Sequence, residues 1–278
     1  MFCYFVSDLH GKIERYEKLF TSILQEKPQA LFLGGDLLPH YYSDKNFIND
    51  YLVSKFLSLK ENLKELYPKI FVILGNDDAR SEEPNIIAAA KKNMWSYIHF
   101  QSTEYLGKKI FGYSFIPPSP FLLKDWEKYD VSRFTEHGSI SPEDGKRTIE
   151  ISNDEKKFST IVKDLELLIN NKDVTSAIFL FHAPPYQTNL DRAALDGKII
   201  DHVPLDVHVG SIAIRRFIEA KQPLITLHGH IHESVRITES WKDKIGKTFC
   251  FSAAHDGKEL ALIKFNDEQP ENAERLLL

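Results

Sequence analysis

The chain has 278 residues, 42% hydrophobic and 27% charged, which excludes a wholly disordered polypeptide and suits one large domain or two small ones. Thirty-five basic against 40 acidic residues leave a formal charge of −5, so there is no overall basic balance for a sequence-independent grip on nucleic acid. No run approaches the roughly eighteen apolar residues of a membrane span, and no basic leader precedes the first polar cluster, so no export signal is expected.

Residues 2–7 form an apolar run, a candidate buried strand, that leads into Asp8-Leu9-His10-Gly11. Residues 12–26 then place Ile13, Tyr16, Leu19, Phe20 and Ile23 at helical spacing. A second short strand, 30–33, ends on Gly34-Gly35-Asp36. The segment 44–66 is helical again, with Phe47, Tyr51, Phe56, Leu59 and Leu63 among its apolar positions. A third strand, 70–74, runs into Gly75-Asn76-Asp77-Asp78. Strand, polar loop and helix thus recur, which predicts an α/β sheet with covering helices.

The middle is less regular. Residues 97–100 and 109–115 read as strands, and Pro117-Pro118-Ser119-Pro120 opens a polar stretch, so 115–157 is expected as a loop or cap insertion. A helix over 158–170 precedes a strand at 176–181 that ends on His182-Ala183-Pro184-Pro185. A helix over 211–220 precedes a strand at 223–227 that ends on His228-Gly229-His230-Ile231-His232. Segments 235–238, 248–252 and 260–265 read as closing strands. No repeat or composition break divides the chain, so a single domain over 1–278 is expected. The two cysteines, Cys3 and Cys250, sit inside apolar runs, which reads as buried thiols in a reducing, cytoplasmic compartment.

Five apolar strands therefore end in metal-binding residue types. In open α/β sheets, ligands bind outside the carboxyl ends of the strands. Taken singly, the signals are weak. Asp8-x-His10 puts both side chains on one face but is common on surfaces, and Gly-Gly-Asp makes an ordinary turn. Asn76 after Gly75 suits an Asx-turn, and His182 reads equally as a hydrogen-bonded strand-end histidine. His230 and His232, one residue apart behind a strand, form the strongest element, because imidazole and carboxylate together are the ligand set of hydrolytic metal sites.

In order, DLHG, GGD, GND, FHAPP and GHIH resemble the calcineurin-like metallophosphoesterases. TNLDR, DVHVGS and HGHIHES, within 188–234, resemble that family's cyclic-nucleotide-phosphodiesterase-like branch. The resemblance implies a four-layer α/β sandwich: two mixed β-sheets face to face, with helices outside. It also implies two divalent ions, manganese first, with iron, zinc or nickel as alternatives. Asp8, His10, Asp36 and His232 would hold the first ion, and Asp36, Asn76, His182 and His230 the second, with Asp36 bridging. The implied reaction is hydrolysis of a phosphodiester or small phosphomonoester by metal-bound hydroxide, with no covalent intermediate.

One position departs from the family pattern. Relatives usually carry a histidine after the Gly-Asn pair, where it contacts the phosphate; here Asp77 stands in its place. An aspartate of ordinary pKa, about 3.9, is a poor acid at neutral pH and repels phosphate. Either Asp77 is held protonated as the catalytic acid, or another group is the acid, or the leaving group needs little help. Asp78 would be a supporting carboxylate. His208, ahead of a helix, is a candidate for catalysis and substrate binding at that helix N-terminus, or else a loop histidine bonded to backbone. Arg192 either reaches a phosphate oxygen or forms a surface ion pair. His228 is expected behind the ligands or as their neighbour in the sheet, and His255 near the cleft. His40, His99, His137 and His202 read as surface or loop histidines. Phe121, Trp126 and Tyr129 either wall a pocket or anchor a loop.

Two rivals remain in view. A non-catalytic scaffold or binding protein of this fold would tend to lose ligands, whereas every ligand position here is filled. A metal hydrolase acting on a non-phosphate ester or amide would usually lack an amide ligand such as Asn76. The expected partner is a small phosphate-ester substrate. No basic, aromatic-interleaved stretch argues for nucleic acid, no membrane is expected, and a homodimer is compatible with the sequence.

Overall fold

Strands that are apolar at nearly every position need cover on both faces, and this chain meets that need by stacking two sheets and flanking them with helices. The computed structural model describes residues 1–40 and 46–278. Its strands are β1 (Phe2–Val6), β2 (Ala30–Gly34), β3 (Lys69–Ile73), β4 (Ser96–Tyr97), β5 (Gln101–Tyr105), β6 (Lys108–Tyr113) and β7 (Ile178–Phe181). There follow β8 (Ile199–Ile200), β9 (Val203–Pro204), β10 (Ile225–His228), β11 (Lys242–Ile245), β12 (Thr248–Ser252), β13 (Ala261–Asn266) and β14 (Glu274–Leu277). One six-stranded sheet runs β14-β13-β1-β2-β3-β4, the other β11-β12-β10-β7-β6-β5, and β8 and β9 form a separate hairpin. β1 to β4 pair in parallel, as do β6, β7, β10 and β12, while β13, β14, β5 and β11 add antiparallel pairings.

Alternation along each strand sorts the two faces. Cys3, Phe5, Ala30, Phe32, Phe71 and Ile73 turn inward to a shared core with Ile110, Ile178, Leu180, Ile225, Leu227 and Phe251 of the other sheet. Phe251 and Phe265 approach to 5.9 Å across that interior. The opposite residues of β1 to β3, such as Tyr4, Leu31 and Val72, pack with α1 (Ile13–Glu26), α2 (Ser54–Leu63) and α3 (Glu83–Lys91). On the far side lie α5 (Ile161–Ile169), which the short α4 (Asn153–Phe158) precedes, and α6 (Ile212–Lys221), with Phe217 of α6 5.0 Å from Phe179. The four layers are those the family resemblance implies. Cys3 on β1 and Cys250 on β12 are buried free thiols. Among the described residues no helix is long and apolar enough to cross a membrane.

Several local expectations change. Residues 235–238, β-branched and read as a strand, are instead the short helix α7 (Ser234–Thr238). There Thr238 Oγ1 donates to Ser234 O at 2.8 Å, and Arg236 reaches Asp256 at 2.6 Å. Of the expected strand 97–100 only Tyr97 is in a strand, at the end of β4, and the exposed edge strand β5, hidden by its polar side chains, begins beyond it at Gln101. The expected helix 158–170 breaks where Thr160 caps the N-terminus of α5. The segment 44–66 winds as a π-helical turn (Ile48–Val53), then α2, then a 3-10 turn (Lys64–Leu66); residues 44 and 45 lie outside the described residues. α3, β11 and β14 had no counterpart in the sequence reading.

Most of the stretch 115–157 is turns and single bridges, including Ile116 to Glu127 and Leu123 to Lys146. Trp126 and Tyr129 are buried and anchor it, whereas Phe121 is exposed. Buried Lys124 pairs with buried Glu127. Asp130 fastens the stretch to α6, accepting from Ser211 Oγ and Ile212 N, each at 2.6 Å, and from Ala213 N at 3.2 Å. Asp130→Ala should leave those donors orphaned and cost about 1–3 kcal/mol. The loss should appear as a lower urea midpoint with an unchanged slope, and an unchanged midpoint would refute the fastening.

Candidate metal centre

Parallel strands deliver their C-terminal loops to one edge of a sheet, and here the β1–β2 pairing outlasts the strands themselves. Asp8 N donates to Gly35 O at 3.0 Å, His10 N to Asp36 O at 2.8 Å, and Gly11 N to Leu37 O at 2.9 Å. The two loops therefore advance side by side. Their turns are sharp: φ is 58° at Asp8, 48° at His10, 51° at Asp36 and, on the loop after β10, 74° at His230. Left-handed backbone costs an L-residue on the order of 1 kcal/mol, and such strain gathers at functional sites. Gly35, at φ 94°, admits the His182 ring, since an added Cβ would stand 2.7 Å from its Nδ1.

The loops of both sheets converge. Ligand-type atoms of Asp8, His10, Asp36 and His232 lie within 4.8 Å of one another, and so do those of Asp36, His182 and His230. Asp36 belongs to both groups. His10 Nε2 stands 3.2 Å from His232 Nε2, which is 3.1 Å from Asp8 Oδ1. His182 Nε2 lies 3.3 Å from Asp36 Oδ2 and 3.1 Å from Asn76 Oδ1. His182 Nδ1 donates to Gly34 O at 2.8 Å, which leaves the Nε2 lone pair facing the cluster. Backbone donors hold the carboxylates: His230 N on Asp8 at 3.1 Å and Asp77 N on Asp36 at 2.8 Å.

The electrostatics are those of a cation site. Burial pushes the Asp8 carboxyl up, but His232, His182 and His10 more than offset it, so Asp8 is held well below the usual range. Asp36 is likewise lowered: burial and Asp8 oppose ionisation, and His182 and His10 outweigh them. Burial lowers His182, but Asp36 and Asp8 lift it to about 9. His230 is pushed down to about 3 by burial and by the nearby His182. Buried carboxylates here draw protons onto facing imidazoles. A divalent ion fits the same atoms, and a nitrogen–oxygen donor set without thiolate suits manganese, iron, nickel or zinc.

Behind the cluster, Asp78 accepts from Leu38 N at 2.8 Å, Gly75 N at 2.9 Å and Leu37 N at 3.2 Å. It locks the β3 loop to the β2 loop. Burial and Asp36 push its carboxyl up to about 7. His228 lies behind the candidate donors, its Nδ1 donating to Ala183 O and its Nε2 taking Thr226 Oγ1, both at 2.8 Å.

The remaining candidates stand apart from the convergence. His208 Nδ1 is 2.8 Å from the buried Asp191, which also holds the N–H groups of Gln187, Thr188 and Gly210. Its loop borders the ligand loops: Ser211 N donates to Pro184 O at 2.9 Å and Ala194 N to Glu233 at 3.1 Å. Arg192 pairs with Asp196, and His255 with Glu259. His137 and His202 are exposed. His99, expected at the surface, is buried: its Nδ1 accepts from Ser114 N at 3.1 Å and its ring lies 4.9 Å from Trp126, because the 115–157 stretch covers it. His40 is exposed, as expected of a loop histidine, yet its Nδ1 lies 3.2 Å from Asp77 Oδ2. No spacing in the sequence announced that contact; the departure at Asp77 was its one signal.

The calcineurin-like phosphoesterase family profile matches residues 3–234. An uncharacterized protein of Methanocaldococcus jannaschii is 40% identical over 79 residues, a stretch covering 28% of this chain and 30% of that relative's length. A solved protein of Thermus thermophilus superimposes with a TM-score of 0.57 at 16% identity, over 99% of this chain and 98% of its own. A dimetal phosphatase of Danio rerio does so with a TM-score of 0.53 at 9% identity, over 95% and 91%. At such identities the likeness to solved structures is one of fold.

Without metal, His182 carries a proton below about pH 9, and a ligating imidazole must be neutral. An ion held by His182 displaces that proton, so apparent affinity should climb with pH towards about 9 and level off above it. Calorimetry of manganese binding in buffers of different ionisation enthalpy reads the proton release. No release and a flat affinity below pH 9 would remove His182 from the centre.

Proposed function

The chain belongs to the calcineurin-like phosphoesterase family, and from that premise we propose that it is a binuclear-metal phosphoesterase hydrolysing a phosphodiester or small phosphomonoester. The observation that carries the reading is the convergence of candidate donors from loops of both sheets, with Asp36 common to two groups. Asp8, His10, Asp36 and His232 would hold one divalent ion, and Asp36, Asn76, His182 and His230 the other. Such ions supply Lewis acidity, polarising a phosphoryl oxygen and acidifying water in the site.

The chain's own groups prepare that chemistry. The Gly34 carbonyl fixes the His182 tautomer, and Asp77 N orients the shared carboxylate of Asp36. The neutral amide of Asn76 limits the negative charge a phosphate must approach. We assign His208, bridged to Arg192 on a loop that borders those carrying the candidate donors, to orienting the substrate. The carboxylate of Asp77, about a third exposed, favours diesters. A monoester carries about two negative charges near pH 7 and is repelled more than a singly charged diester. TNLDR and DVHVGS support a diester of the cyclic-nucleotide kind, manganese is the first ion to try, and the buried free thiols suit a reducing cytoplasm.

The test is kcat/KM for aryl diesters, cyclic nucleotides and alkyl monoesters with manganese, iron, nickel and zinc. Diesters should lead. Asp36→Asn should lower the rate by about a thousandfold and strip metal, whereas His208→Ala should cost about tenfold. An Asp36→Asn variant that keeps its metal and most of its rate would refute the bridging assignment. Wild-type protein that turns over none of these esters with any of the four ions would refute the function.

A further inference from the structure

Asp191 is wholly buried, and its carboxylate is shared among four donors. Oδ1 accepts from Thr188 N at 2.9 Å and from His208 Nδ1 at 2.8 Å. Oδ2 accepts from Gln187 N at 2.9 Å and Gly210 N at 3.1 Å. Three backbone amides are enough to satisfy a buried carboxylate, so burial alone does not call for the imidazole, whose side chain is 28% exposed. The ring is held from other sides too. His208 N donates to Asp206 Oδ1 at 2.8 Å, and Asp206 Oδ2 accepts from Tyr186 OH at 2.6 Å. The Tyr186 ring stands edge-on to the imidazole, with centroids 6.1 Å apart at 75°. Among the described residues Nε2 makes no hydrogen bond, and it is not a buried atom, so it reaches solvent.

The loop that carries the pair is tied down at both ends. Residues 191–194 and 206–209 run antiparallel: Val209 N donates to Asp191 O at 3.1 Å, Ala193 N to Val207 O at 2.8 Å, and Arg192 is bridged to His208. At one end Ser211 N donates to Pro184 O at 2.9 Å, two residues past His182. Gly210 lies so close there that an added Cβ would stand 2.8 Å from Pro184 O. At the other end Ala194 N donates to the carboxylate of Glu233, next to His232, at 3.1 Å. His208 is therefore strung between the loops of two candidate donors, one from each group that shares Asp36.

We propose that Asp191 is a positioning residue: it holds His208 by Nδ1 so that Nε2 meets a phosphoryl oxygen, and it does not itself touch substrate. The proposal rests on the phosphoesterase reading and its assignment of His208. A loop histidine held by nothing can turn either edge outward, and the substrate must then order it on binding. A carboxylate that is itself pinned by three amides removes that freedom in advance and leaves Nε2 as the working edge. The chemistry needs an acceptor at this point. In Asp191→Asn the amide oxygen can keep two backbone donors, but the amide nitrogen then presents N–H groups where Nδ1 donates. The ring must change tautomer or turn away.

The experiment is a double-mutant cycle on inorganic phosphate binding, read by calorimetry on manganese-loaded wild type, Asp191→Asn, His208→Ala and the double variant. Each single change should weaken phosphate binding about tenfold, and Asp191→Asn should weaken it no further once His208 is alanine. A purely structural Asp191 would cost the same in both backgrounds, and that additivity would overturn the proposal. So would wild-type phosphate affinity in Asp191→Asn. Nitrogen NMR of zinc-loaded wild type needs no variant and decides the matter if Asp191→Asn fails to fold. His208 Nδ1 should keep its proton throughout, and the Nε2 signal should move when phosphate is added. An Nε2 signal that ignores phosphate, or an unprotonated Nδ1, would overturn the proposal. Coupling of Asp191 to phosphate through His208, in a protein that hydrolyses no ester, would sustain this assignment and sink the phosphoesterase reading. Ester hydrolysis without that coupling would do the reverse.

Discussion

Asp8 and Asp36 are almost wholly buried, with carboxylate oxygens in one small cluster. Removing two like charges from water and setting them together costs several kcal/mol per ion unless cations and donors surround them. Much of the neighbourhood answers that demand. His182, His10 and His232 supply positive charge, His230 N and Asp77 N supply hydrogen bonds, and the Arg15 guanidinium reaches the Asp8 carbonyl. A third carboxylate, Asp78, ionises less readily: burial and Asp36 lift its pKa, against three backbone donors that also tie the loops together. Metal chemistry is thus a consequence of where the fold puts its anions.

The same loops hold backbone strain. Asp8, His10, Asp36 and His230 all sit at positive φ, and the continued β1–β2 pairing together with the Asp78 clamp keeps them there. The 115–157 stretch adds a brace, because Trp126 Nε1 donates to Asp78 O and Asp125 accepts from Arg80 N, each at 2.8 Å. With Asp130 on α6, that stretch is fastened both to the loop bearing Asn76 and to the helix that leads into β10.

The parallel strands β1, β2, β3, β7 and β10 were legible because each is a short apolar run that gives way within two residues to glycine, aspartate or histidine. The candidate donor types were legible for the same reason, although only their ordered recurrence gave them meaning. Edge strands such as β5 and β11 were not, since solvent-facing strands carry charge and lose the apolar signal. Val235 and Ile237 suggested a strand, but a local hydroxyl–carbonyl bond and an ion pair on the next turn favoured a helix. His99 and His40 show the wider limit. Whether an isolated histidine is buried or paired depends on which distant loop comes to rest on it, and no local pattern encodes that.

Cys3 and Cys250 lie one in each sheet, and burial raises both thiols, Cys250 to about 12. Neither forms appreciable thiolate near neutral pH, so neither competes for soft ions or reacts with alkylating agents while the sandwich is closed. An opened sheet would expose its own sulfur. Each leaf therefore carries an internal clock: the alkylation times of the two peptides, resolved by mass, separate an opening that frees one leaf first from one that releases both together.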